Sequence, residues 1–457
     1  MLTIAPFKGL TYNFHERKDL STLVAPPYDV ISQEEQQAYY QADPHNVIRL
    51  ILGEKRTGDS DWDNRYTRAA DTFQRWQSNR HLIRSPRPCL YLTAMTYDPG
   101  NGMAIRTRWG IISLVRIEDE GSEVILPHEK TFSAHKEDRL KLYRACGAQF
   151  SQIFGLYDDR ENVVLNACRS SADLTPQMDF QLADGTRHRL WMLEDQVLFK
   201  QVANAMRSKA IFIADGHHRY ETSRNYRNLM RARHGRKPAD KSYEFVLMYL
   251  SNMRDEGLTI LPSHRMVKRV PGFQEAAFFE KAEKYFDIKT FPISSNGMIN
   301  QYETYKDSLQ EAGLNGTSFA FFCHGSDWWY MLSLKEGAHE QMGDALHSSL
   351  KNLDVVVLSR LVFQKCLGFT KEGLDDDEVF HYQSNTPQAL SSVASGEYQM
   401  MFMLNATKIE QVTEVAENGL VMPRKSTYFY PKVLTGLVFN KIDPKEIISV
   451  PRDHSGA

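Results

Sequence analysis

The stretch Ile211-Phe212-Ile213-Ala214-Asp215-Gly216-His217-His218-Arg219-Tyr220-Glu221-Thr222 constrains the fold more than any other. Its first four residues are apolar and β-prone, Asp215 and Gly216 interrupt the run, and a helical pattern follows at once. A strand, a tight turn and a helix are expected in that order. The first turn of such a helix presents backbone N–H groups and the positive end of its dipole, which together attract an anion. Gly216 lets a ligand approach the backbone, and Arg219 adds a planar fork suited to phosphate or carboxylate.

The chain around this junction has 457 residues, 42% hydrophobic and 11% aromatic, enough to bury a large core in several domains. It contains no run of about 18 uncharged apolar residues. The opening MLTIAPFKGLTYNFHERKDL has no basic region leading into a long apolar one, so neither a membrane span nor a secretion signal is expected. A formal net charge of −2 supplies no general field for polyanions, which argues against a nucleic-acid partner and for a small-molecule substrate. The five cysteines are scattered and never form a CxxC pair, as suits a reducing cytoplasm.

The pattern of elements is α+β with mixed sheets. Three segments are expected: 1–270, a catalytic region carrying the Asp-Gly-His-His-Arg motif; 271–345, an α+β module; and 346–457, a C-terminal α/β module with a site-like loop. Within them, residues 47–52 read as a strand. Residues 89–97 and 106–117 read as antiparallel strands joined by Pro99-Gly100-Asn101-Gly102, and 62–80 and 350–367 as helices.

Four further segments concentrate functional groups. Pro26 and Pro27 hold the backbone extended, so Tyr28 and Asp29 sit on a stiff mount, with Ser32 positioned to cap a helix from Gln33. Pro127-His128-Glu129-Lys130-Thr131 offers a base, a cation and a hydroxyl within one turn. His264-Arg265 follows an apolar strand, and Pro423 and Pro431 bound a loop containing Lys425, Ser426 and Lys432. Each also has a plainer reading, as a solvated turn or a buried structural pair.

Three chemistries compete for Asp215, His217, His218, Arg219 and Glu221. A metal hydrolase would use the histidines and carboxylates as Zn²⁺ or Mn²⁺ ligands, but adjacent histidines diverge on a helix and chelate poorly. Phosphoryl transfer would use the helix start and Arg219 for phosphate, Asp215 and Glu221 for Mg²⁺, and a histidine for developing charge. The structural reading has satisfied histidines beside a capping aspartate. No Walker A or kinase H-R-D set occurs.

The motifs IADGHHRYET, APFKGL, VAPPYDVIS, LPHEKTF, ILPSHR and MPRKSTYFYPKVLTGLV, in one order over nearly the whole chain, resemble a widespread prokaryotic family classified as a domain of unknown function. More remotely, the Asp215–Arg219 core resembles that of the ParB/sulfiredoxin-like superfamily, which includes nucleotide-dependent free serine kinases, sulfiredoxins and CTP-binding partition proteins. That resemblance implies a ParB/sulfiredoxin-like core with additional α/β modules and a phosphate site at the start of the helix. The sulfiredoxin cysteine is absent, since His217 and His218 fill those positions, and no helix-turn-helix follows. The small-molecule kinase branch fits best. The expectation is a cytoplasmic phosphotransferase using ATP or ADP with Mg²⁺ on a small hydroxyl compound such as free serine. The alternatives are a nucleotide-binding regulatory module without turnover and a metal-dependent hydrolase. Asp215, His217 and His218 would be catalytic with Glu129 or Asp29 as general base. Gly216, Arg219, Lys130, Arg265, Lys425, Ser426 and Lys432 would hold the cofactor.

Overall fold

A computed structural model describes residues 1–451 apart from 18, 101, 128–132, 295, 296, 344, 345 and 377. The fold is α+β in two units, Met1–Thr259 with Pro431–Ala457, and Ile260–Tyr430.

The first unit is built on a nine-stranded mixed sheet. From one edge its strands run Ile125–Leu126, Ile211–Asp215, Ile153–Tyr157, Phe245–Asn252, Arg106–Arg116, Leu90–Tyr97, Arg187–Leu193 and Met178–Gln181, with Ile4–Ala5 pairing the Arg106 strand. The expected hairpin forms, with Tyr97 opposite Arg106 and Tyr91 opposite Ile112. Phe245–Asn252 is buried along its whole length, as its continuous apolar run requires. Leu92, Ile111, Ile153, Ile211, Met248 and Leu250 form the centre of the core, closed by Leu198, Phe199 and Val202 of the helix Gln196–Met206.

Residues 47–52, expected as a strand, form the short helix Ile48–Ile51. Asn46 decides the matter: its Oδ1 accepts from the Ile48 N–H at 2.8 Å, while its Nδ2 donates to the Thr22 and Val24 carbonyls. A side chain that satisfies the first turn overrides β-branched propensity. Ser32 does cap the helix Gln33–Ala42, with Glu35 completing a capping box.

In the second unit a six-stranded antiparallel sheet runs Phe286–Pro292, Trp328–Leu334, Ser318–Cys323, Met400–Leu404, His264–Val267 and Phe380–Gln383. Apolar clusters cover its two faces. This sheet corrects the three expected segments. Its strands come from 1–270, 271–345 and 346–457 alike, and hydrogen bonding across those boundaries makes one unit of them. Residues 431–457 belong instead to the first unit, where the Phe439 N–H donates to the Leu10 carbonyl at 2.8 Å and Asn440–Lys441 pairs with Ala148–Gln149. The expected helix over 350–367 is divided into Ser348–Lys351, Asp354–Val357 and a π-helical Leu358–Cys366, its apolar face still buried. Among the described residues no helix is long and apolar enough to cross a membrane.

Candidate functional site

The strand Ile211–Asp215 ends as the sequence implies. Its pairing with Ile153–Tyr157 shifts register between Ile213 and Asp215, which brings Asp215 opposite Phe154. Gly216 then turns the chain at φ +94°, and a Cβ there would lie 3.0 Å from the Arg219 guanidinium carbon. Both the backbone conformation and the space call for glycine. The N-cap of the helix His217–His234 is Gly216, which has no side chain to offer as a cap. Backbone N–H groups and the dipole at such a start favour an anion.

Asp215 lies at the centre of the charge arrangement. Its Oδ1 accepts from Lys432 Nζ at 2.6 Å, and its Oδ2 accepts from Arg219. Arg219 also donates to the Gln152 carbonyl, which fixes the helix start to the head of the neighbouring strand. Burial alone would raise the Asp215 carboxyl, but Lys432 and Arg219 outweigh it and hold the group well below the usual carboxylate range. Burial likewise opposes the Arg219 charge, and Asp215 restores it. The His217 imidazole is pushed down to about 3, first by burial, and is neutral at pH 7. His218 is half-buried, its carbonyl accepting from Thr222 Oγ1 at 2.7 Å.

Three other segments of the first unit close on this cluster. Ala25 pairs with Thr435, and Thr435 Oγ1 lies 2.9 Å from Ser151 Oγ, so the Pro-Pro mount, the 432–435 segment and the head of the Ile153 strand adjoin. Asp29 is exposed on a single 3₁₀ turn, Tyr28–Val30, and its charge reaches Arg219. Arg139, on the helix Ser133–Cys146, stacks over the Tyr28 ring at 4.0 Å. That helix in turn meets the His217 helix through Tyr143 and Ser223. Among the described residues the buried Tyr28 Oη and Gln152 Oε1 have no hydrogen-bond partner.

The expected residues therefore divide. Asp215, Gly216, His217, His218, Arg219, Lys432 and Asp29 come together. Glu129 and Lys130 lie outside the described residues, although the helix that follows them packs against the cluster. Arg265, Lys425 and Ser426 belong to the second unit. There Arg265 is buried with its guanidinium 4.9 Å from the Tyr382 ring centre, Ser426 is buried and donates to the Pro423 carbonyl, and Lys425 is exposed.

The Asp215 and Glu221 pair expected to hold Mg²⁺ is not formed. Both Asp215 oxygens are taken by cations, and Glu221 pairs with Arg224 at 2.7 Å on its own helix. Among the described residues no group of three or more His, Cys, Asp or Glu is disposed to hold a metal. Among the described residues the donor set does not fit a resident metal ion. Gln152, whose carbonyl anchors Arg219, carried no sequence signal, since it lies in no charged or glycine-rich motif. Two cavities of about 410 and 480 Å³, one beside Arg224 and Arg231 and the other beside His15 and Glu194, share no lining residue with the cluster.

Residues 4–356 match a family described as "Protein of unknown function (DUF1015)". No curated protein matches. Solved structures similar to this chain include a free serine kinase in complex with AMP, 12% identical with a TM-score of 0.34, covering 74% of this chain and 93% of the other. A conserved hypothetical protein from Pyrococcus furiosus is 12% identical with a TM-score of 0.32, covering 70% and 92%. SbnI with a C-terminal truncation, from Staphylococcus aureus, is 10% identical with a TM-score of 0.32, covering 71% and 85%. Likeness at this level bears on neither activity nor substrate.

Proposed function

We propose that this chain, which belongs to the DUF1015 family, binds the phosphates of ATP or ADP at the Asp215–Gly216–His217 junction and transfers a phosphoryl group to a small hydroxyl compound. Free serine is the first acceptor to try. The observation that carries this reading is the glycine-opened start of an 18-residue helix beside a largely buried Asp215 held by Lys432 and Arg219. Backbone N–H groups and the dipole favour phosphate, and Lys432 supplies a cation within reach. Arg219, buried and bonded to Gln152 and Asp215, positions the junction rather than gripping the ligand.

In the transfer step the acceptor oxygen bonds to the terminal phosphorus, and the bond from that phosphorus to the bridging oxygen breaks. The shortened nucleotide leaves with the electron pair, and the acceptor proton passes to Asp29 or Glu129 as base. His217, neutral and donor-capable, steadies charge on the transferring oxygens. Any magnesium enters with the nucleotide, because Asp215 and Glu221 are already engaged by cations.

The test is a thermal-shift screen of the full chain with ATP, ADP and CTP, with and without Mg²⁺, followed by nucleotide consumption with serine and a panel of hydroxyl compounds. Stabilisation with serine-dependent consumption is expected. Stabilisation without turnover for any acceptor identifies a regulatory module instead, and no stabilisation by any nucleotide removes both readings.

A further inference from the structure

We infer that Arg108 is a positioning residue that holds the 431–432 segment, and through it the Lys432 ammonium, over Asp215. Arg108 is fully buried in the strand Arg106–Arg116 and donates to the Pro431 carbonyl at 2.8 Å, one residue before Lys432. Its guanidinium lies 4.7 Å from the Phe154 ring centre and 5.5 Å from that of Tyr249. Sheet register connects this slot to the site. Asp215 pairs with Phe154 and Phe154 with Tyr249, so the aromatic wall runs across three strands from the carboxylate towards Arg108.

Gly110 makes the slot possible. It shares a face with Arg108, and a Cβ there would sit 2.4 Å from the Tyr249 ring. With that space open, the ring lies down beside the arginine. A planar cation stacked on two rings keeps its orientation, and orientation decides where the Pro431 carbonyl is held. Lysine at this position supplies a donor without the plane, and methionine supplies bulk with neither.

The inference rests on the proposed role of Lys432 towards phosphate, so its test has one arm independent of any ligand. Peptide-resolved acetylation of the full chain compares Lys432 with the exposed Lys441 in wild type, Arg108→Lys and Arg108→Met. In Arg108→Met, Lys432 should be labelled about fivefold faster, the change that losing one net hydrogen bond makes in a local opening equilibrium. Lys441 should be unchanged and Arg108→Lys intermediate. In the second arm, ADP titrations of Arg108→Met, Lys432→Met and the double variant should show weakened affinity in each single variant and no further loss in the double. If wild type binds no nucleotide, the proposed function falls and the labelling arm alone decides the clamp. If Arg108→Met does not fold, Arg108→Lys decides it. Wild-type labelling of Lys432 in a folded Arg108 variant overturns the inference, as do additive losses of affinity.

Discussion

Replacing Asp215 with asparagine strikes the charge arrangement at its centre. The carboxylate meets Lys432 at 2.6 Å and Arg219 as well, and the three side chains are 15%, 14% and 4% exposed. The Asp215→Asn variant would leave two desolvated cations facing a neutral amide. Removing one partner of a buried pair costs about 3–5 kcal/mol, and since both cations share one carboxylate, that range covers the pair of contacts together. The dependence on pH has a definite sign. Asp215 is depressed in the folded chain, so its contribution is complete above the unfolded carboxyl value of about 3.9 and is lost as pH falls below it. Urea unfolding of the full chain, followed through Trp76, Trp109 and Trp191 of the first unit, reads the difference. At pH 7 the variant should lose about 3–5 kcal/mol, and the gap should narrow towards pH ~3. A loss under about 1 kcal/mol, the range of an exposed pair, would refute the reasoning. A gap independent of pH would do the same.

Two other substitutions bear on the same region, and a titration tests buried histidines of both units. Gly216→Ala should destabilise by about 1–3 kcal/mol in a thermal melt, because alanine at φ +94° is strained and its Cβ meets the Arg219 guanidinium; wild-type stability would show that the turn relaxes freely. Tyr28→Phe should be neutral or stabilising by up to about 1 kcal/mol, since the buried hydroxyl has no partner among the described residues, and a loss of about 2 kcal/mol or more would reveal one. His217, His188 and His264 are pushed by burial to about 3, 4 and 3, below their unfolded values. The unfolded chain therefore binds more protons, and stability should fall with pH from about 6.5 downwards; imidazole NMR signals titrating near 6.5 in the folded chain would contradict this.

The junction was legible because its signals are local. An apolar run, an Asp-Gly break and a helical pattern are read within twelve residues, and all three appear where they were expected. Lys432 was legible as a phosphate-friendly cation, but its bond to Asp215 spans 217 positions and no local pattern encodes it. The same limit hid the meeting of Ala25, Ser151 and Thr435, which depends on the tertiary path of three segments. Domain limits failed for a related reason. A sheet that alternates strands from 264–267, 318–323, 380–383 and 400–404 cannot be inferred from where composition changes along the chain. Arg108 was invisible because a charged residue in RTRWG reads as one more solvent-facing strand position until the aromatic slot is seen.

The most direct measurement is calorimetric titration of the full chain with ADP and ATP, wild type against Lys432→Met, with Lys441→Met as a surface control. Saturable binding that weakens about tenfold or more in Lys432→Met and is unchanged in Lys441→Met is the predicted result, since a charged hydrogen bond to phosphate contributes roughly 1.5–3 kcal/mol. Nucleotide binding of equal strength in all three proteins would place the phosphates elsewhere and contradict the account.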